Sequence, residues 1–194
     1  DIYAPNDVVV NITTDTPGTY TIKIGNTTKE VTLIAGENTV NITGVTPGKD
    51  QVVNVTFNET ENYNSAVNDN AKVTVNKPIP IISEVTATNT TYPNDVIVNI
   101  TTDTPGTYAI KIGNTTKEIN LTAGKNTVNI TGVTPGKDQV VNVTYNETEN
   151  YSSIYNDNTK VPVNKATPNI SEVNATDATY PDDVVVNITT DTPG

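Results

Sequence analysis

The chain has 194 residues and a formal charge of −11, with no Cys, His, Met or Trp, and all eleven basic residues are Lys. Disulfides, thiolate or histidine metal sites and any Ser–His–Asp or Cys–His relay are excluded within it. An acidic chain without Arg also lacks the bidentate reader of phosphate and guanine, which argues against nucleic acid and anionic membranes as partners.

One phrase organises the sequence. "DVVVNITTDTPG" begins at Asp7, returns as "DVIVNITTDTPG" at Asp95 and again as "DVVVNITTDTPG" at Asp183, so the copies stand 88 residues apart. Roughly four in five positions agree between the first two copies, with no insertion or deletion, which marks a tandem array. A unit of that length is enough to bury a modest core.

Taken in chain order, residues 78–165 read as one complete unit. It opens at "PIP" and its first strand carries "ISEV" from Ile82. In "DVIVNIT", Val96, Val98 and Ile100 share one face, with Ile97, Asn99 and Thr101 on the other. "TYAIKIG" places Tyr108, Ile110 and Ile112 together, and "NTVNIT" does the same with Val128 and Ile130. "QVVNVTYN" offers Val141, Val143 and Tyr145, and "KVPV" offers Val161 and Val163. This period of two in β-branched residues predicts half-buried strands, and no window carries a helical period. "DTPG" and "VTPG" set Pro before Gly and predict type II turns. Gly113-Asn114 predicts a tight hairpin, and Ala123-Gly124-Lys125 another short connection.

The sum is about seven strands per unit and an all-β, Ig-like antiparallel sandwich without the Cys and Trp of antibody domains. On this pattern residues 1–77 are a unit lacking its first strand, and residues 166–194 supply the first two strands of a third.

The run "GTYAIKIGNTTKEINLTAGKNTVNITGVTPGKDQVVNVTYNETENYSS" resembles the Ig-like repeats of large bacterial and archaeal surface proteins. "GTY", the "GVTPG" turn and "ENYNS" (Glu61 to Ser65) are the words that carry the likeness. In its wealth of Asn, Thr, Ile and Lys and its lack of Arg, the chain is most similar to the adhesin-like proteins of methanogenic archaea. The resemblance covers the whole chain and rests on turn and core residues, so it implies fold and an extracellular location rather than a ligand.

Sequons are the strongest local signal. Asn-x-Ser/Thr occurs at Asn11, Asn26, Asn41, Asn54, Asn58, Asn89, Asn99, Asn114, Asn120, Asn129, Asn142, Asn146, Asn150, Asn169, Asn174 and Asn187. Strand alternation alone puts Asn and Thr on one solvent face at i and i+2. Even so, random placement would give only about a third as many, and a sequon is a surface acceptor in an exported protein. N-linked glycans are therefore expected, with Asn99, Asn129 and Asn142 opposite the apolar face.

Carboxylates form the second constellation. Asp103, Glu147, Glu149 and Asp157 fall in loops expected near the preceding unit, which presents Asp7 and Asp50. Facing acidic loops suit Ca²⁺, which takes six to eight oxygens. The plainer reading is a solvated acidic rim with intermittent Lys. "NDN" resembles the calcium-binding linker of cadherins but precedes the last strand instead of following it. No cofactor is expected, with Ca²⁺ at these six residues the one alternative to the acidic rim.

Other chemistry has less support. An internal isopeptide bond needs a buried Lys, and every Lys here has a strand-end, turn or outward parity. Glu147 and Glu149 form a carboxylate pair of the glycosidase type, but they repeat as Glu59 and Glu61, and an active site is not tiled along a rod. No enzyme is expected.

These readings converge on a secreted structural protein, a stalk or filament of tandem units on a microbial, archaeal, surface. Each unit contacts its neighbours, with lateral self-association into bundles. Strands of about eight residues rising ~3.3 Å each give about 35–45 Å per unit. "NKPIPII" and "NKATPNI" join the units with stiffening Pro. The rival is an adhesin module whose tip loops bind host or neighbouring-cell glycan or protein through Tyr63, Tyr151 and Tyr155. The plainer reading packs those tyrosines beneath their loop. The last expectation concerns continuity. A tail donating "ISEV" to another chain would carry a redundant second strand, so the sequence favours a window on a longer covalent array over strand exchange.

Overall fold

Residues 2–192 are described by the computed structural model, and they form an all-β protein without a helix. In chain order the first copy contains β1 (Ile2–Tyr3), β2 (Val8–Thr14), β3 (Gly18–Ile24), β4 (Thr27–Leu33), β5 (Gly36–Ile42), β6 (Gly48–Phe57) and β7 (Ala66–Asn76). The second contains β8 (Ile82–Ala87), β9 (Thr90–Thr91), β10 (Val96–Thr102), β11 (Gly106–Ile112), β12 (Thr115–Leu121), β13 (Gly124–Ile130), β14 (Gly136–Tyr145) and β15 (Ile154–Asn164). β16 (Ile170–Ala175) and β17 (Val186–Thr190) follow.

The apolar faces read from the sequence are the faces that go inward. Val96, Val98, Ile100, Val128 and Ile130 are buried from a three-stranded sheet ordered β13-β10-β8. Tyr108, Ile110, Ile112, Val141, Val143, Tyr145, Val161 and Val163 are buried from a five-stranded sheet ordered β12-β11-β14-β15-β9. Both sets belong to one core cluster, so the two sheets face each other across it. Register follows the same logic. Val98 lies opposite Val128 on one side and Ala87 on the other, and Ile110 lies opposite Val143. A one-residue slip of β10 would turn its valines to solvent and its asparagine inward. Within this copy pairing is antiparallel except at β9, a two-residue strand pairing in parallel with Val163 and Asn164, as β1 pairs in parallel with Val75 and Asn76 in the first copy. It raises the strand count of this copy to eight.

The first copy repeats the plan with a separate core of Val8, Tyr20, Ile22, Ile24, Leu33, Val40, Ile42, Val45, Val53, Phe57 and Val75. Its five-stranded sheet runs β1-β7-β6-β3-β4. Its other sheet has two strands, β2 and β5, paired with Val10 opposite Val40 as Val98 is opposite Val128. Among the described residues no strand lies on the far edge of β2, where β10 carries β8.

The hairpin at Gly113-Asn114 closes as its chemistry predicts, with Gly113 at φ +57°. The two TPG segments do not form type II turns. Gly106 has φ +154°, beyond the type II value, and opens β11; Gly136 opens β14 without a positive φ. The reason is topological: β10 and β11 belong to different sheets, so the link must arch across the core rather than reverse within one sheet. Ala123 and Gly124 likewise carry the chain from β12 in one sheet to β13 in the other.

Candidate functional site

Thirteen of the sixteen sequon asparagines are exposed, and Asn54, Asn58 and Asn142 are half-buried. Asn99 Oδ1 accepts the hydroxyl of Thr127 on the neighbouring strand at 2.8 Å, and Asn11 accepts Thr39 at 2.9 Å. Asn120 accepts Thr107 at 2.6 Å. Asn54 and Asn142 accept the hydroxyl of their own sequon threonine, Thr56 at 2.9 Å and Thr144 at 2.7 Å. Each of these bonds uses the amide oxygen and leaves the nitrogen, the atom a glycan would modify, on the other side of the group. Asn26 and Asn114 stand at hairpin tips, and Asn146 and Asn150 in the loop before β15.

The six carboxylates do not converge. Among the described residues no three acidic side chains gather at one point. Asp103 Oδ1 accepts the backbone N–H of Ile81 at 2.8 Å and the Thr104 hydroxyl at 2.7 Å, which ties the start of β8 to the end of β10. Glu147 pairs with Lys77 Nζ at 2.6 Å, and the same ammonium donates to the Thr148 carbonyl at 2.7 Å. Asp50 sits in the left-handed region at φ +50°, its N–H donated to the Thr74 hydroxyl at 3.0 Å. Asp7, Glu149 and Asp157 are exposed, and "NDN" lies inside β15 rather than in a loop. The long segment after β14 is therefore a short loop of residues 146–153 followed by a strand. Lys125, read as a loop residue, lies in β13 opposite Thr101. No lysine is buried.

That loop packs on the core through Tyr151, whose ring meets Tyr145 edge-on at 6.1 Å, as Tyr63 meets Phe57 at 6.1 Å in the first copy. Beneath it, Tyr108 donates to the Thr104 carbonyl at 2.8 Å and lies 2.6 Å from the Thr102 hydroxyl. Burial pushes the Tyr108 phenol above its ordinary value, and the Thr102 hydrogen bond opposes this in part. In the tail, the Asn169 N–H donated to Asp191, with help from the Thr192 hydroxyl, holds that carboxyl below the usual range.

A groove opens along the edge of β2 away from β5, where no strand lies among the described residues. It has a volume of about 520 Å³ and lies between β2 and the rim of β7, with Val10, Ile12, Val55, Phe57, Asn68 and Ala71 among its walls. The matching residues of the second copy, Val98, Ile100, Val143 and Tyr145, are buried, whereas Val10, Ile12 and Val55 are half-buried. That no counterpart of "ISEV" stands between Asp1 and Val8 was visible in the sequence. The apolar trough was not, because residues from four strands, β2, β3, β6 and β7, build it.

No helix is long and apolar enough to cross a membrane. Comparison with protein-family models and with curated proteins finds no match.

Proposed function

We propose that this chain is a stretch of an extracellular structural protein in which Ig-like β-sandwich units, residues 1–77, 78–165 and the opening strands at 166–194, build a stalk or filament on a microbial, archaeal, surface. The observation that carries the reading is the recurrence, at 88 residues, of the same strand order and register around two separate cores. A rod lengthens by copying one unit, and here residues 1–77 and 78–165 each own a core. The Ig-like assignment is supported by a three-stranded and a five-stranded sheet sharing one core, with β9 running parallel to the last strand. The extracellular assignment is supported by outward sequon amides on both sheets. Hydrated sugars there would shield polar faces and loops from proteases.

Tyr151 fits this reading better than a sugar-binding tip, because it is half-buried against Tyr145; Tyr63 also meets Phe57 but is 57% exposed, and Tyr155, in β15, is 63% exposed. Intact-mass analysis of native material tests the proposal. A mass above the bare polypeptide, shed by glycosidase treatment, is expected. A mass equal to the bare polypeptide would remove the glycosylated surface protein from consideration.

A further inference from the structure

We propose that Asn156 and Thr159 of β15, together with the parallel pair β9–β15, form a shear clamp by which the second unit resists being drawn apart along the chain. The proposal rests on the reading as a stalk for the source of the tension, and adds to it the residues that carry that tension.

The chain enters this unit through β8 and leaves it through β15, and the two strands lie in different sheets. Side chains join them. Asn156 Nδ2 donates to the Ile82 carbonyl at 3.4 Å, and the Thr159 hydroxyl donates to the Val85 carbonyl. A step of three residues along β8 matches a step of three along β15, so the two strands run in the same direction. Both bonds are partly buried, and Ile82 and Val85 belong to the core that also holds Val161 and Val163. Water therefore competes weakly for the two carbonyls.

The same direction continues into β9. Thr90 and Thr91 lie opposite Val163 and Asn164 in parallel, and Tyr92 donates its N–H to the Asn164 carbonyl at 2.9 Å. The first unit repeats this contact. Ile2 and Tyr3 lie opposite Val75 and Asn76, and Ala4 donates its N–H to the Asn76 carbonyl at 3.1 Å. Where the chain enters the second unit, the Ile81 N–H is held by Asp103 at 2.8 Å and the Pro78 carbonyl accepts the Ser152 N–H at 3.0 Å. Tension thus reaches β8 through an anchored segment.

Direction decides how these contacts share a load. Tension along the chain draws the start of β8 one way and the end of β15 the other. Because the strands are parallel, those two points lie at opposite ends of the pair. The strands must slide along their length, and the bonds to the Ile82, Val85 and Asn164 carbonyls are strained together. An antiparallel pair pulled from its neighbouring ends behaves differently, since each bond breaks before the next is strained. β14 and β15 supply that contrast within the same unit, with Gly136 opposite Val163. Forced unfolding is governed by the unfolding rate rather than by overall stability. Contacts that must fail together raise its barrier, and contacts that fail in turn do not.

Single-molecule pulling on the full chain tests the clamp. The chain has no Cys, so an introduced pair gives unique attachment points. Ile79→Cys with Lys165→Cys applies tension along the chain across the second unit, whereas Lys137→Cys with Lys165→Cys peels β15 from β14. All three positions are exposed. The first pair is expected to unfold at higher force than the second at the same loading rate. Thr159→Val removes the donor and keeps the shape, and should speed unfolding of the first pair about fivefold at fixed force. It should leave the first rupture of the peeling pair unchanged, because the Gly136–Val163 end opens before Thr159 is reached. Asn156→Ala should show the same contrast with a smaller effect. Thr159→Ser keeps the donor and should behave as the parent. Equal forces in the two geometries overturn the proposal. So does a Thr159→Val effect that is the same in both, which would make the hydroxyl a matter of general stability, and so does a Ser variant as weak as the Val variant. The clamp and the surface reading fail separately: these outcomes leave the glycan mass unchanged, and a bare polypeptide mass leaves the measured force standing.

Discussion

The backbone of Gly106 lies against the ring of Tyr145, so close that a Cβ at this position would stand 2.8 Å from Cε2. Gly18 stands in the same relation to Phe57 Cε2, also at 2.8 Å. In both units the glycine after Thr-Pro serves close packing where the chain arches between sheets. Neither ring can retreat, since Tyr145 is wedged edge-on between Tyr108 at 5.1 Å and Tyr151 at 6.1 Å. Gly106→Ala is expected to cost about 1–3 kcal/mol by overpacking. Because the two cores share no residue, the loss should appear in the unfolding of the second unit and leave the first unchanged. Denaturant unfolding monitored by hydrogen exchange, which resolves the two units, checks both parts; equal loss in both units would contradict them.

Tyr108 is expected to set the alkaline limit of the second unit. Its phenol is buried, bonded to Thr102 and Thr104, and titrates above its ordinary value because burial disfavours the anion. A folded value above the unfolded one means that the folded state holds the proton longer. The stability that this supplies is fully present below about pH 10, the unfolded value, and is lost as pH rises through the folded one. Tyr108→Phe should cost about 1–3 kcal/mol at neutral pH, since the buried Thr102 hydroxyl and Thr104 carbonyl lose a partner. Above pH 10 the variant should lose stability less steeply than the parent. Parallel melting curves against pH for the two proteins would contradict the assignment.

The inward faces were legible because a period of two in Val, Ile and Tyr leaves one solution for a half-buried strand. The expected faces of residues 96–100, 108–112, 128–130, 141–145 and 161–163 are all buried. The short hairpin at Gly113-Asn114 was legible for the same local reason. What failed was chemistry whose meaning depends on the partner. Pro before Gly reads as a type II turn, but the arch between two sheets and the ring of Tyr145 decide the geometry at Gly106. Asp103 reads as a free loop carboxylate, yet it caps the start of β8, a strand separated from it by about twenty residues of sequence. Asp157 reads as part of one long loop with Glu147 and Glu149, and β15 runs through it. The Thr102–Thr104–Tyr108 network left no local signal, because threonine is common on every outward face of this chain.

Lys77 and Glu147 link the segment between the units to the loop before β15. The pair is partly exposed, so its Coulomb attraction is screened and each long side chain loses freedom in making it. Glu147→Gln should therefore change the melting free energy by less than about 1 kcal/mol. The Lys77 bond to the Thr148 carbonyl and the Ser152 N–H donated to the Pro78 carbonyl at 3.0 Å persist in the variant. Raising salt should erase what difference there is between parent and variant. A loss that survives high salt would mean that Glu147 has a structural role beyond its charge.

Sugar occupancy should follow the geometry of the amide nitrogens. Asn26 and Asn114 stand at the tips of two-residue hairpins, and Asn146 and Asn150 lie in the loop before β15; all four are exposed. Asn54 and Asn142 sit half-buried in central strands of the five-stranded sheets, each tied to its own sequon threonine at 2.9 Å and 2.7 Å. Asn58 is half-buried just beyond β6, its carbonyl oxygen accepting the Thr21 hydroxyl at 3.3 Å. A transferase needs the amide and the hydroxyl presented together in an accessible backbone, which hairpin tips and loops offer and central strands do not. Glycopeptide mass spectrometry of native material should find high occupancy at Asn26, Asn114, Asn146 and Asn150 and the lowest occupancy at Asn54, Asn58 and Asn142. Where strand asparagines such as Asn11 and Asn99 are modified, the bonds from Thr39 and Thr127 can persist, because they use the oxygen. Thr127→Ala should then leave occupancy at Asn99 unchanged, whereas Thr101→Ala, which removes the sequon hydroxyl, should abolish it. Full occupancy at Asn142 with an empty Asn114 would reverse the order argued here and mean that sugar is added before β14 has joined its sheet.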